Sequence, residues 1–162
     1  MSEHKPEQCW ASHLPALFSC LLATSGAVLE VGAGDWSTPL LRKFCETAQR
    51  EFYSFEEEEN WAVKTGTEWH YGTGLTDFLE AKALAPWSLV FLDHNGHRRA
   101  KDALLFKDSA EFVVVHDWGS PDIFNPFEPI LAQWKYKIID SRFGPATLIL
   151  TNHESHRDRI KL

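Results

Sequence analysis

Nine consecutive residues, Glu30-Val31-Gly32-Ala33-Gly34-Asp35-Trp36-Ser37-Thr38, put an acid, two glycines and two hydroxyls where a short apolar run gives way to a helix-like one. Glycines at such a junction let a ligand approach the backbone, and the helix start beyond them offers free N–H groups. They also suit a tight turn with no ligand at all. The dinucleotide fingerprint asks for a third glycine where this chain has Ser37, and an acid at Glu30 faces a pyrophosphate badly but suits a cationic ligand. Two further segments, VFLDHNGHRRAKDALL and VVVHDW, bring polar groups to the ends of apolar runs: Asp93, His94, His97, Arg98 and Arg99, then His116, Asp117 and Trp118. An Asp in that position can cap the next helix. His94, His97 or His116 can accept a proton as general base, with hydrogen-bonded scaffolding as the alternative. One of the two arginines is expected to be solvated and the other to face an anionic group, Arg98 being the substrate candidate. Trp118 is either a substrate wall or core.

The elements that must position these groups follow from the hydrophobic rhythm. Residues 8–24 carry Trp10, Leu14, Leu17, Cys20 and Leu21 on one helical stripe, with Pro15 a potential kink. Strand-like runs follow at 27–32, 50–55, 67–71, 87–93 and 111–117, separated by helix-like stretches after Ser37, at EEEENWAVKT, near 75–84, at RRAKDALLF and at FEPILAQW. The last two runs, 136–140 and 146–151, have too short a connection for a parallel crossover and must pair as an antiparallel hairpin. Strand–helix alternation of this kind predicts a doubly wound, Rossmann-like α/β sheet, mostly parallel, with helices on both faces. Ligands then belong at the C-terminal ends of the strands, where the motifs above fall. The chain reads as one domain: an N-terminal helix (1–26), a core (27–151) and a polar, frayed tail (152–162).

Composition narrows the function. The chain has 162 residues and a formal charge of −7, which gives nucleic acid or an anionic membrane nothing to bind. Cys9, Cys20 and Cys45 are scattered and odd in number, which excludes a disulfide scaffold and fits a reducing, cytoplasmic setting. No apolar run is long enough to span a bilayer, and the N-terminus has no signal-peptide core.

The segment VLEVGAGDWSTPLL resembles the first motif of the class I S-adenosylmethionine-dependent methyltransferases, whose cofactor carries an ammonium and a sulfonium. The resemblance implies seven strands in the order 3-2-1-4-5-7-6. It also implies that Glu30, Gly32, Ala33, Gly34, Ser37 and Thr38 surround the amino-acid part of the cofactor. In FYSFEEEENW it places Glu56, with Glu57 beside it, on the ribose hydroxyls, although Glu57, Glu58 and Glu59 also fit a solvated helix start. In YGTGLTDFL it places Gly74 and Leu75 on the adenine.

The late motifs resemble small-molecule O-methyltransferases of the catechol and sugar-modifying types. That likeness implies cofactor or metal contacts at Asp93 and a Mg2+ ion held by Asp93 and Asp117, which would lower the pKa of the acceptor hydroxyl. Departures are plain. The catechol type has Lys where this chain has Gly96, and Asn where it has Trp118, while Asp108–Glu111 replaces a Gly-Gly turn. The expected function is methyl transfer to a small-molecule hydroxyl. An NAD-dependent oxidoreductase and a cofactor-binding protein without transferase activity are the alternatives. With no insertion to close the acceptor site, Trp10, Phe18, Phe124, Phe127, the 119–129 loop or a second copy of the chain are the available covers.

Overall fold

The computed structural model describes residues 11–162. Trp10 and Cys9 lie outside the described residues. In chain order the elements are α1 (Leu14–Ala23), β1 (Val28–Val31), α2 (Ser37–Thr47), β2 (Phe52–Glu56), α3 (Glu59–Thr65), β3 (Glu68–Trp69), α4 (Thr73–Lys82), β4 (Trp87–Leu92), α5 (Gly96–Leu105), β5 (Ala110–Trp118), α6 (Pro121–Phe127), a 3-10 helix (Glu128–Gln133), β6 (Tyr136–Asp140), β7 (Ala146–Thr151) and α7 (Glu154–Arg157). The strands make one sheet in the order β3-β2-β1-β4-β5-β7-β6, as expected. Strands β1 to β5 are parallel, and β7 runs antiparallel to both β5 and β6.

Period-two alternation splits the core into two layers. Leu29, Val31, Val90, Leu92, Val113 and Val115 point to one face, where Leu75 and Leu79 of α4, Ala100 and Ala103 of α5, and Ile123 and Phe127 of α6 cover them. Val28, Leu89, Phe91, Phe112 and Val114 point to the other, against Leu17, Cys20 and Leu21 of α1 and Leu41 and Cys45 of α2. Strand β4 has neighbours on both sides and helices on both faces, so its apolar run is buried at every position. Pro15 falls in the first turn of α1 and begins the helix without kinking it, because its missing N–H would have no partner there.

Three local expectations need correction. The third strand shrinks from 67–71 to two exposed residues at the sheet edge. The segment after β5 is not an open loop: Pro121 starts α6, and the run FEPILAQW continues it as 3-10 turns because Pro126 and Pro129 interrupt α-helical hydrogen bonding. The tail is not frayed. Ile160 packs on the α1 face, and Ser19 Oγ donates to the Lys161 carbonyl at 3.1 Å and accepts from the Lys161 N–H at 3.0 Å. Apolar area on α1 that the sheet does not cover gives the tail something to dock on. Among the described residues, no helix is long and apolar enough to cross a membrane.

Candidate functional site

The sheet reverses its winding between β1 and β4, and the crevice of a doubly wound fold opens above such a reversal. Here it is a cavity of about 530 Å³ lined by His13, Ala33, Gly34, Asp35, Trp36, Trp61, Asp93, Arg99, His116 and Asp117. A larger groove of about 840 Å³ lies at the opposite, N-terminal ends of the strands, away from the motif residues.

The loop after β1 forms one wall. Gly32 has φ +91°, and a Cβ there would sit 2.4 Å from the His94 nitrogen and 2.5 Å from the Asp93 carbonyl carbon, so packing against the end of β4 alone demands glycine. Glu30 is fully buried beneath the loop and does not line the crevice. Its Oε2 accepts from Thr38 Oγ1 at 2.8 Å and Ser54 Oγ at 2.5 Å, and Thr38 Oγ1 in turn accepts from the Gly34 N–H at 2.9 Å. Oε1 of Glu30 and Oγ of Ser37 have no hydrogen-bond partner among the described residues. Burial pushes the Glu30 carboxyl up to about 7.

Glu56 also serves the loop. Its carboxylate accepts from the N–H groups of Ala33 (2.8 Å), Glu57 (2.8 Å) and Glu58 (3.0 Å), which occupies most of its acceptor sites. Burial nevertheless raises its pKa, opposed by those three bonds. Glu57 accepts from the Asn95 N–H at 2.9 Å and so ties the end of β2 to the end of β4. Gly74 is exposed at the start of α4, whereas Leu75 is buried in the core. Trp61 donates from its indole N–H to the Ala33 carbonyl, and the Lys64 ammonium lies 3.8 Å from its ring centre.

The opposite wall follows from register. Leu92 pairs with Val115, so the next residues, Asp93 and His116, stand side by side and point toward α1. His116 Nδ1 lies 3.1 Å from Asp93 Oδ1, and its Nε2 lies 3.1 Å from Ser12 Oγ. Asp117 has φ +58° at an irregularity in the β5–β7 pairing, an uncommon conformation for a non-glycine residue of the kind found at functional sites. Arg99, nearly buried, spans the wall. It donates to the His94 carbonyl (2.6 Å), the His116 carbonyl (2.9 Å) and Asp117 Oδ2 (3.3 Å), and it forms an ion pair with Asp93 Oδ1 at 3.0 Å.

The three candidate bases part company. His94 is buried with Nε2 at 2.7 Å from Asp102, His116 has both ring nitrogens engaged, and His97 is exposed. His97 lines a smaller hollow of about 380 Å³ with Gly96, Ser120, Ile123 and Pro145, and that hollow shares Arg99 and Asp117 with the crevice. Arg98 turns to Thr76 and Asp102 instead of the crevice, leaving Arg99 as the arginine that faces it. Trp118 packs on Phe124 and Phe127 in the core and walls no substrate cavity. Phe18 stacks edge-on against Phe44 and lies on a different hollow, so none of the described aromatic lid candidates lines the crevice.

His13 is the residue that sequence reasoning missed. It is 3% exposed, and neither ring nitrogen has a partner among the described residues. Burial drives its pKa down to about 4. Only the docking of α1 across the ends of β4 and β5 brings it there, and no local motif marks it.

No protein-family model matches the chain, and no curated protein matches it in sequence. Solved crystal structures do share its architecture. The cofactor-bound Rv0187 from MTB matches with a TM-score of 0.59 at 17% identity, over 93% of this chain and 84% of that one. A "putative O-methyltransferase" from Klebsiella pneumoniae matches with a TM-score of 0.58 at 12% identity, over 94% and 84%. The chain has a class I methyltransferase-like fold.

Proposed function

We propose that the crevice binds S-adenosylmethionine and that the chain transfers its methyl group to a hydroxyl of a small molecule. The observation that carries this reading is the crevice lining: a glycine loop at the winding reversal, two indole rings, and three carboxylates (Asp35, Asp93, Asp117) against the Arg99 guanidinium and the Lys64 ammonium, which pairs with Asp35 at 2.8 Å. That excess of negative charge attracts a sulfonium and an ammonium and repels a pyrophosphate. Trp36, and the face of Trp61 that Lys64 leaves open, offer ring surface to a flat base or to the sulfonium. The shared architecture of a cofactor-bound protein and a "putative O-methyltransferase" supports the same reading.

Glu56 and Glu30 act on the cofactor through the loop they brace, and Glu56 keeps at most a fraction of its acceptor capacity for ribose. The acceptor sits in the hollow beside His97, with Arg99 and Asp117 orienting it at the border with the crevice. Transfer is an in-line displacement. The acceptor oxygen bonds to the methyl carbon, the carbon–sulfur pair returns to sulfur, and the hydroxyl proton passes to His97. A Mg2+ ion shared by Asp93 and Asp117 does not fit this wall, because the Arg99 guanidinium bridges the two carboxylates and takes the place of an ion between them. No step is routed through a metal. The buried free thiols of Cys20 and Cys45 are consistent with a reducing, cytoplasmic setting.

Calorimetric titration with S-adenosylmethionine, S-adenosylhomocysteine and NADH tests the cofactor. A radiolabelled methyl screen against small hydroxylated acceptors, with and without Mg2+, tests the chemistry. The sulfonium nucleoside and its thioether product should bind and NADH should not. Methyl incorporation should not depend on Mg2+ and should fall about a hundredfold in His97→Ala. Binding of NADH in place of S-adenosylmethionine overturns the reading. The engagement of both aspartates by Arg99 favours a second one, a cofactor-binding protein without turnover, and binding with no incorporation across the screen would support it.

A further inference from the structure

The floor of the crevice gathers His13, Asp93 and His116 from α1, β4 and β5, and one ligand atom from each lies within 4.8 Å of the others. We propose that these three residues form a binding site for a divalent transition-metal ion of the zinc class, distinct in its ligands from a magnesium site on Asp93 and Asp117.

The donor set decides the ion. Two imidazoles and one carboxylate suit Zn2+, Co2+, Ni2+ or Fe2+, whereas Mg2+ wants oxygen alone. Distance agrees along the best-defined edge. Two ligands held about 2.1 Å from zinc at the tetrahedral angle lie roughly 3.4 Å apart, and His116 Nδ1 and Asp93 Oδ1 are 3.1 Å apart. Outer contacts of the kind that orient metal ligands are present. Ser12 Oγ holds the far nitrogen of His116 at 3.1 Å; with the proton on Nε2, Nδ1 turns its lone pair toward Asp93, and an ion between them replaces the Nδ1–Asp93 contact, while Arg99 steadies the Asp93 carboxylate at 3.0 Å.

The independent observation is His13. Its ring is 97% removed from solvent, lines the crevice and has no hydrogen-bond partner on either nitrogen among the described residues. An imidazole buried without a partner costs free energy that an apolar ring would not. Its packing, with ring centres 5.0 Å from Phe91 and 4.3 Å from His116, would serve a phenylalanine as well. A metal ion accounts for the histidine. Three protein ligands leave a coordination position open to the crevice, where water completes the shell.

The test uses the full chain, stripped with a chelator and titrated with Zn2+, Co2+ or Mg2+ without any cofactor, so its outcome is separate from that of the methyl-transfer reading. One equivalent of Zn2+ should bind and raise Tm, Co2+ should give the visible absorption of a low-coordinate site, and Mg2+ should do neither. His13→Phe preserves the ring packing, so it should fold with an unchanged or higher Tm in chelator while losing at least about tenfold in Zn2+ affinity together with the Co2+ absorption. The pair His153 and His156, outside the crevice and with ring centres 4.8 Å apart, is the control for binding elsewhere on the protein. His153→Ala should leave the stoichiometry at one. Zn2+ affinity unchanged in His13→Phe, or no stoichiometric Zn2+ uptake, overturns the proposal, as does tight Mg2+ binding in its place.

Discussion

Glu30 and Gly32 act at the level of single residues, and each makes a sharp prediction. The folded protein keeps the Glu30 carboxyl protonated up to about pH 7, against an ordinary 4.5. Between those pH values the folded state holds a proton that the unfolded chain has released, so this group removes stability as pH rises through the window. Glu30→Gln retains a carbonyl oxygen for Thr38 and Ser54 and removes the titration. Its Tm should gain on the wild type as pH rises from 5 to 8, and a parallel pair of Tm–pH curves would show that Glu30 is not the titrating group. Gly32→Ala should lose about 2–4 kcal/mol by denaturant unfolding, combining left-handed strain with a forced contact on the Asp93–His94 backbone. A loss under 1 kcal/mol would mean that the loop shifts freely. The acid and the glycines were legible as a ligand-binding motif. That they mainly hold the loop to β4 and α2 was not, because it depends on which strand ends sit next to one another.

At the scale of elements, the alternation of apolar runs marked the strands, since buried parallel strands need unbroken apolar stretches and crossovers need helices, whereas their order came from the resemblance of the glycine motif. Less legible were segments whose structure is set by partners. The tail reads as polar, yet Ile160 and the paired bonds between Ser19 and Lys161 fasten it to α1. Ser19→Ala removes both bonds and should cost about 1 kcal/mol, with faster amide exchange across residues 154–161. Unchanged exchange there would show that Ile160, with the Arg159 bond to the Ala23 carbonyl and the His156–Glu111 pair, holds the tail without Ser19. The same docking of α1 places His13 over Asp93 and His116, so the wall of the crevice depends on a helix whose sequence carries no site motif. Arg99 shows the same dependence on context. Arg98 and Arg99 are indistinguishable in sequence, and the roughly 100° step between neighbours on α5 sends one to Thr76 and Asp102 and the other to Asp93 and Asp117.

For the whole molecule, the winding reversal between β1 and β4 converts these details into a crevice with an acidic, indole-bearing lining. Arg99 holds its far wall together. Arg99→Met should strip the guanidinium from Asp93, which keeps only His116, and from the half-exposed Asp117, and lower stability by about 1–3 kcal/mol, read by denaturant unfolding. An effect near zero would show that solvent or a cation replaces the guanidinium at no cost. The central claim is that the space above the glycine loop is shaped for a sulfonium nucleoside. A crystal structure grown with S-adenosylhomocysteine tests it most directly. The account requires density for the nucleoside between the 32–36 loop and Trp61, with its sulfur directed toward Asp117 and the His97 hollow. Density for the ligand elsewhere, or a crevice that remains without it at saturating concentration, would contradict the account.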